Sequence, residues 1–487
     1  LITLALLNVA TLTAGIAVAR LLPARLVALR IPVAAARPVV TASPVLPAIT
    51  DPGRATPTAS ALASLIGANL PPGETGSPIG VAVADAASGK LLYSDNGDRL
   101  ATPASTTKLT TATAALAVLG PQARFTTSVR QIPGGIVLVG GGDSTLAVRP
   151  YPANNYPQPA TLAALAASTA RALKAAGRTS VRLGYDTSLF QGPLLAPGWT
   201  DSLVTTGNVT PIVSLEVDQG RLTASGAPQD SDDPLNYSPR TMNPAGMAAD
   251  AFATLLGNDG IRISGSPAQT TAAQTTAAKG APTIASVSSP PLADIVEQML
   301  QESNNVIAEN LGRQVAIALG LPATFSGAAK GVETELRRLG VTTPISLVDT
   351  SGLSPDDGIA PETLVKVLEI ALGAKPATAK STATSTTTAA ARARAAATGL
   401  PIAGFSGTLS PGQSVFGGIG GAARGVVRAK TGNLDTVATL AGYVTDKAGR
   451  VLVFALMAPN IPDSGLLQTT ANAIDATAAG LAGCGCG

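Results

Sequence analysis

The chain has 487 residues, a net charge of +3, few aromatic residues and no histidine. That length exceeds one ordinary hydrophobic core, so two folded domains plus tails are expected. The missing histidine excludes a Ser-His-Asp triad, a Cys-His dyad and a His-ligated zinc centre, and the lack of any basic block leaves nucleic-acid binding without an electrostatic footprint.

Leu1 to Ala19 carry no charge and are rich in Leu, Ile, Val and Ala, with Arg20, Arg25 and Arg30 following. Residues 1–22 therefore read as a signal peptide or a signal anchor. Arginines on that side alone would orient the chain toward the cytoplasm. The stretch 23–57, with Pro32, Pro38, Pro44, Pro47, Pro52 and Pro57, instead reads as a tether across a cell envelope. Export is thus expected, with the N-terminal segment as a membrane attachment.

Globular patterning begins with a helix over 58–68. A strand over 79–84 turns through 85–90 into Leu91-Leu92-Tyr93, a hairpin. Pro103 announces a helix over 104–119, which puts Ser105 at a helix N-terminus. Strands are expected at 125–130, 136–140, 181–185 and 212–217, and helices at 160–175 and 245–256. These elements suggest a β-rich domain over 124–267, inserted into a discontinuous domain of 58–123 and 268–487. Thr270 to Ala281 reads as a low-complexity joint and 292–318 as one helix carrying Ser303 and Asn305. A surface insert at 374–397, strands at 426–429, 437–444 and 451–456, and a helix over 466–481 complete the chain. Cys484 and Cys486, in Gly-Cys-Gly-Cys-Gly, cannot build a four-ligand zinc site and read as a frayed tail. No metal or cofactor is expected.

Three short motifs carry chemistry, and they occur in order: Ser105-Thr106-Thr107-Lys108, Ser303-Asn304-Asn305 and Lys430-Thr431-Gly432. A serine hydroxyl needs a base, and one helical turn sets Lys108 beside Ser105. Lys108 serves only if burial and a neighbouring positive charge, Lys430, depress its pKa. Ser303 would relay the proton to the leaving amine and Asn305 would hold the substrate amide. Lys430 and Thr431 would meet the substrate carboxylate from an edge strand. The backbone N–H groups of Ser105 and Asn433 would form the oxyanion hole. Ser94-Asp95-Asn96 spells a variant of the second motif, but it lies in the hairpin ahead of the nucleophile and is set aside.

With these motifs the chain resembles the S13 peptidase family, the class C low-molecular-mass penicillin-binding proteins. Leu100-Ala101-Thr102-Pro103-Ala104, Val139-Gly140-Gly141-Gly142-Asp143-Ser144, Ala196-Pro197-Gly198-Trp199, Asp349-Thr350-Ser351-Gly352-Leu353-Ser354 and Gly407-Thr408-Leu409 extend the likeness. The resemblance covers roughly 77–460. It implies an α+β fold: a serine β-lactamase/transpeptidase-like domain, with an antiparallel sheet between helices, plus the inserted domain. It implies a serine D,D-carboxypeptidase that removes the terminal D-Ala from peptidoglycan stem peptides through an acyl-enzyme, with D,D-endopeptidase activity open and β-lactams as covalent inhibitors. A β-lactamase or esterase on the same scaffold, and a catalytically silent envelope-binding protein, are the competing readings.

The resemblance also implies that Trp199 and Asp201 line a pocket for the free amino group of the stem's third residue. The alternative is that Trp199 caps the core of the insertion. Three departures stand out: the insertion is short for the family, Pro355-Asp356-Asp357 replaces an arginine that can meet a stem carboxylate, and Asn433 replaces the usual Thr or Ser.

Overall fold

The polypeptide was described as a computed structural model over residues 55–70, 78–229, 237–373, 389–412, 421 and 423–485, all of which fall in one compact unit starting at Leu46. The leader expected at 1–22 and the tether up to residue 54 lie outside these residues. Among the described residues, no helix is long and apolar enough to cross a membrane.

Thr58 accepts a hydrogen bond from the Ala61 N–H and so caps helix α1 (Ala59–Asn69). The expected hairpin is present as β1 (Gly80–Asp85) and β2 (Lys90–Asp95). A 3-10 turn, Ala104–Thr106, then leads into α2 (Thr107–Leu119), so Ser105 stands one step ahead of the α-helix rather than within it.

The next elements form the second sheet. They are β3 (Thr126–Ile132), β4 (Gly135–Val139), helix α3 (Leu162–Ala175), β5 (Ser180–Asp186), helix α4 (Pro244–Asn258) and β6 (Thr283–Ser288). β3 pairs with both β4 and β6, while β4 and β5 run parallel. Because β6 is an integral strand, this sheet continues past the expected boundary at 267 to Ser288. The strand expected at 212–217 does not form. Its residues are buried, but their backbone bonds go to loops: Ser214 O accepts from Gly142, Asp218 donates to Leu146 O and Ile212 to Leu194 O. The expected joint near 270–281 contains a helix, Ala272–Gly280, nucleated by a capping box between Thr271 and Gln274.

The single helix expected over 292–318 is two, α5 (Leu292–Glu302) and α6 (Asn305–Ala318). Ser303 breaks them with a left-handed backbone, φ 56°, and the Asn304 side chain caps α6 by accepting from the Ile307 N–H. Helices α7 (Phe325–Arg338) and α8 (Pro361–Leu372) follow, then β7 (Val427–Leu434), β8 (Val437–Thr445), β9 (Val451–Ala458) and α9 (Ser464–Gly483). Of the expected surface insert, the part from Ala389 is described, and Ala393, Ala396 and Ala397 are buried rather than exposed. Cys484 is likewise buried and disulfide-bonded, not frayed; Cys486 lies outside the described residues.

The main sheet is antiparallel in the order β7-β8-β9-β1-β2. Successive side chains of a strand face opposite ways, and here both faces are covered. Leu440, Leu452, Phe454 and Leu456 pack with α1 and α9, whereas Ala441, Tyr443, Val453, Ala455 and Met457 pack with α2, α5, α6 and α8. Each fully buried Leu or Phe contributes about 1.5–3 kcal/mol, so the two cores hold the sheet between its helices. This α+β architecture places β7 at an edge, next to the Ser105 turn.

Candidate active site

The Ser105 turn is wedged between β7 and the loop 349–354. Ala104 adopts φ 47°, a conformation that costs a non-glycine residue about 1–3 kcal/mol and persists only where neighbours impose it. Gly352 is one such neighbour: a Cβ there would run into the Ala104 carbonyl. Gly432 is the other, since a Cβ would lie 2.9 Å from the Ser105 nitrogen and 2.8 Å from the Pro103 oxygen. Thr439 on β8 fastens this contact by donating to Pro103 O at 2.8 Å.

Lys108 Nζ is fully buried and has three acceptors: Ser105 Oγ at 2.9 Å, Asn305 Oδ1 at 2.6 Å and Ser351 O at 2.7 Å. Burial pulls its pKa down to about 7, against the opposing fields of Asp349 and Glu309. Lys430 is also fully buried and is held well below its usual value, by burial first and then by the charge of Lys108. The expectation that positive charge depresses Lys108 is thus revised. For Lys108 burial dominates, and the repulsion between the two lysines is most evident at Lys430.

A cleft of about 750 Å³ opens in front of this cluster. Ser105, Ser303, Asn305, Thr431 and Asn433 line it. Lys108, Lys430 and Gly432 stand behind the lining. Lys430 Nζ donates to Thr431 O at 2.8 Å, and the Thr431 hydroxyl donates to Thr408 at 2.8 Å. Asn305 Nδ2 donates to Asn208 O at 2.9 Å, which fixes the amide so that its oxygen faces Lys108.

Among the described residues, β7 is an edge strand of the main sheet. Ala429 N–H donates outward to Pro401 O, and Val427 O accepts outward from Ala403. In an antiparallel pair alternate residues point both polar groups the same way, so Thr431 and Asn433 share that outward face. Among the described residues, the segment 401–403 covers the edge only near 427–429. The Asn433 N–H therefore faces the cleft side of the strand, beside Ser105.

Two expected residues are not brought to the site. Trp199 is buried against Phe325, edge to face at 5.4 Å, and donates Nε1–H to Asp349 Oδ2 at 3.0 Å. Asp201 is exposed in the first turn of a five-residue helix. Neither lines the cleft, so the substrate-pocket assignment is replaced by a packing and hydrogen-bonding position for Trp199. Its neighbours Gly198, Thr200 and Ser202 do line the cleft. Ser94 bonds Glu362 at 2.8 Å on the exposed hairpin, away from these groups.

Motif reading missed Thr408, Asn208, Arg221 and Arg240 in the cleft lining, and Asp349 and Ser351 behind Lys108. For Asp349 and Ser351 a signal existed in the Asp-Thr-Ser-Gly-Leu-Ser segment, and for Thr408 in Gly-Thr-Leu. For the arginines there was none.

The profile of the D-Ala-D-Ala carboxypeptidase 3 (S13) family matches residues 63–238 and 221–481, nearly the whole described chain. The chain belongs to this family. Carboxypeptidase DacB of Mycolicibacterium smegmatis is 37% identical over 453 residues, covering 91% of this chain and 89% of the relative. The D-alanyl-D-alanine carboxypeptidase of Actinomadura sp. strain R39 is 28% identical over 461 residues, covering 79% and 78%. The crystal structure of penicillin binding protein 4 from Haemophilus influenzae superposes with a TM-score of 0.65 at 21% identity, over 85% of this chain and 98% of that one, which establishes the shared fold. As an S13 peptidase the protein is a serine-type D-Ala-D-Ala carboxypeptidase.

Proposed function

We propose that the protein removes the terminal D-Ala from peptidoglycan stem peptides through an acyl-enzyme on Ser105, and that β-lactams acylate the same serine. The observation that carries this reading is the 2.9 Å contact between Ser105 Oγ and a buried lysine whose pKa is brought to about 7. At neutral pH a large share of Lys108 is then the free amine, which accepts the Ser105 proton as Oγ bonds to the carbonyl carbon of the penultimate D-Ala. The oxyanion so formed is received by the N–H groups of Ser105 and Asn433. Ser303, in the cleft wall, passes the proton to the departing nitrogen as the C–N bond breaks. Water then attacks the ester by the same path in reverse roles.

The substrate lies along the open edge of β7 as an added antiparallel strand. Running opposite to β7, its C-terminal residue falls toward Thr431 and Thr408, and its upstream residues toward Leu434 to Val437, which also line the cleft. Asn305 holds the amide. The enzyme acts outside the cytoplasm, a reading supported by the uncharged N-terminal stretch and the proline-rich run after it.

Intact-mass measurement after incubation with a penicillin, together with D-Ala release from a stem pentapeptide, tests this. Wild type should gain one penicilloyl mass and release D-Ala, and Ser105→Ala should do neither. An adduct on the Ser105→Ala variant would overturn the assignment of the nucleophile, and rapid loss of the adduct from wild type would favour a β-lactamase.

A further inference from the structure

Ser303 is a single left-handed residue, φ 56°, between α5 and α6, and such a backbone persists only where neighbours impose it. The Asn304 side chain ties the two sides of the break together. Its Oδ1 accepts from the Ile307 N–H in α6 at 3.1 Å, and its Nδ2 donates to Glu302 Oε2 at the end of α5 at 3.2 Å. The same amide nitrogen donates to Gln219 Oε1 at 3.0 Å, a residue 85 positions away in the chain. We propose that Gln219 is a positioning residue for the proton relay, locking the Ser303 turn from outside the helix pair through the Asn304 amide. This rests on the relay role given to Ser303 above.

Gln219 is itself held in place against its backbone preference. Asp218 and Gln219 have φ 48° and 52°, and Gly220 follows at 66°, three successive left-handed residues between β5 and α4. That region is disfavoured for Asp and Gln and is kept where the surroundings over-determine it. Here Gln219 O accepts from the Thr210 hydroxyl and from Arg240 Nη1 at 2.9 Å. The Asp218 N–H donates to Leu146 O at 2.9 Å, and Asp218 Oδ2 accepts from the Val148 N–H at 3.2 Å. A Cβ on Gly220 would lie 2.8 Å from Thr210 Cγ2, so the turn sits tight on its support. Gln219 is 3% exposed and does not line the cleft, which leaves Asn304 as its route to the reacting groups.

Arg240 extends the same support to the next residue of the motif. Its Nε and Nη2 donate to Gly207 O at 3.3 and 3.2 Å, and Asn208 O, one residue on, accepts from Asn305 Nδ2 at 2.9 Å. One buried guanidinium thus holds two carbonyls, one at the root of the contact to Asn304 and one beside the contact to Asn305. Glu216 and Glu302 supply the negative field around it.

The experiment compares an acyl-D-Ala-D-Ala peptide with a thioester of the same acyl-D-Ala group, whose thiolate leaves without needing a proton. Ser303→Ala is the reference and should lose more on the peptide than on the thioester. Gln219→Met keeps the length of the side chain and removes the acceptor. It should lower kcat on the peptide about 10-fold with KM nearly unchanged, and kcat/KM on the thioester by less than about 2-fold. Combined with Ser303→Ala it should cause no further loss on the peptide, because both changes act on one group. Thr210→Val, which releases Gln219 O, should show the same bias at smaller size, and it carries the test if a thermal melt shows Gln219→Met unfolded. An equal loss on both substrates, an unchanged peptide rate, or an additional loss in the double variant overturns the proposal. If Ser303→Ala itself shows no bias against the peptide, the relay reading has failed, and the proposal with it.

Discussion

The indole N–H of Trp199 donates to Asp349 Oδ2 at 3.0 Å, and that carboxylate organises the loop beside Lys108. Asp349 also accepts from the N–H groups of Ser351 at 3.0 Å, Gly352 at 2.7 Å and Ser354 at 2.7 Å. The loop so folded presents Ser351 O to Lys108 and Gly352 to Ala104. The only tryptophan in the chain thus reaches Lys108 through one carboxylate and one turn.

Trp199→Phe keeps an aromatic ring against Phe325 and removes the donor. A hydrogen bond to a charged acceptor contributes roughly 1.5–3 kcal/mol, so denaturant titration should show a loss of that order. Penicillin acylation should slow because Ser351 O is less firmly held. Unchanged stability and unchanged acylation together would mean that the bond contributes nothing.

Asp357 is buried and has its pKa pushed up to about 10, by burial first and then by the neighbouring charge of Asp349. A carboxyl so raised is protonated at neutral pH. Asp357→Asn replaces a neutral acid by a neutral amide that can still accept from Val348 and Asp349 N–H, and it should change stability by less than about 1 kcal/mol. Asp349→Asn, which weakens five hydrogen bonds around one group, should cost clearly more in the same urea titration.

The pH dependence of acylation follows from Lys108. Its pKa is lowered to about 7, so it is an ammonium below that pH and a free amine above it. The second-order rate of penicillin acylation should rise with pH about a midpoint near 7 and level off above it. A midpoint above pH 9 would show that Lys108 titrates as an ordinary lysine.

Gly432→Ala introduces a methyl against the Ser105 nitrogen and the Pro103 oxygen. Both are backbone atoms, so β7 must move away from the nucleophile turn. Loss of oxyanion geometry should lower acylation by about 10²–10³-fold, while most of the sheet is retained. Stopped-flow labelling beside circular dichroism measures the two effects, and full acylation by this variant would refute the close approach.

Ser303→Ala removes a hydroxyl from the cleft wall without adding volume. Turnover of the stem peptide should fall more than its KM rises, because the group is used as the proton moves rather than when the substrate binds. Steady-state kinetics decide this, and a change confined to KM would make Ser303 a binding group.

The sequence by itself determined the order of the three motifs and the pairing of Ser105 with Lys108. A chain without histidine leaves lysine as the candidate base, and a three-residue spacing in a helical pattern puts Lys108 on the face of Ser105. The apolar runs 437–444 and 451–456 and the helix ending the chain were legible because such signals are local in the sequence.

What the tertiary structure decided depends on neighbours distant in the chain. The break at Ser303 is invisible in an apolar pattern that is helical on both sides, because a left-handed residue leaves the apolar stripes of α5 and α6 intact. Burial of Lys430, which moves it out of the cleft lining, follows from how β7 packs, and no spacing reports that. Trp199 stands beside true cleft-lining residues in the sequence, yet its ring turns inward, because an indole buries a large apolar area and Asp349 offers its N–H an acceptor. Arg240 carries no motif at all. It reaches the cleft only because Gly207 and Gln219, 33 and 21 residues away in sequence, bring their carbonyls to its guanidinium.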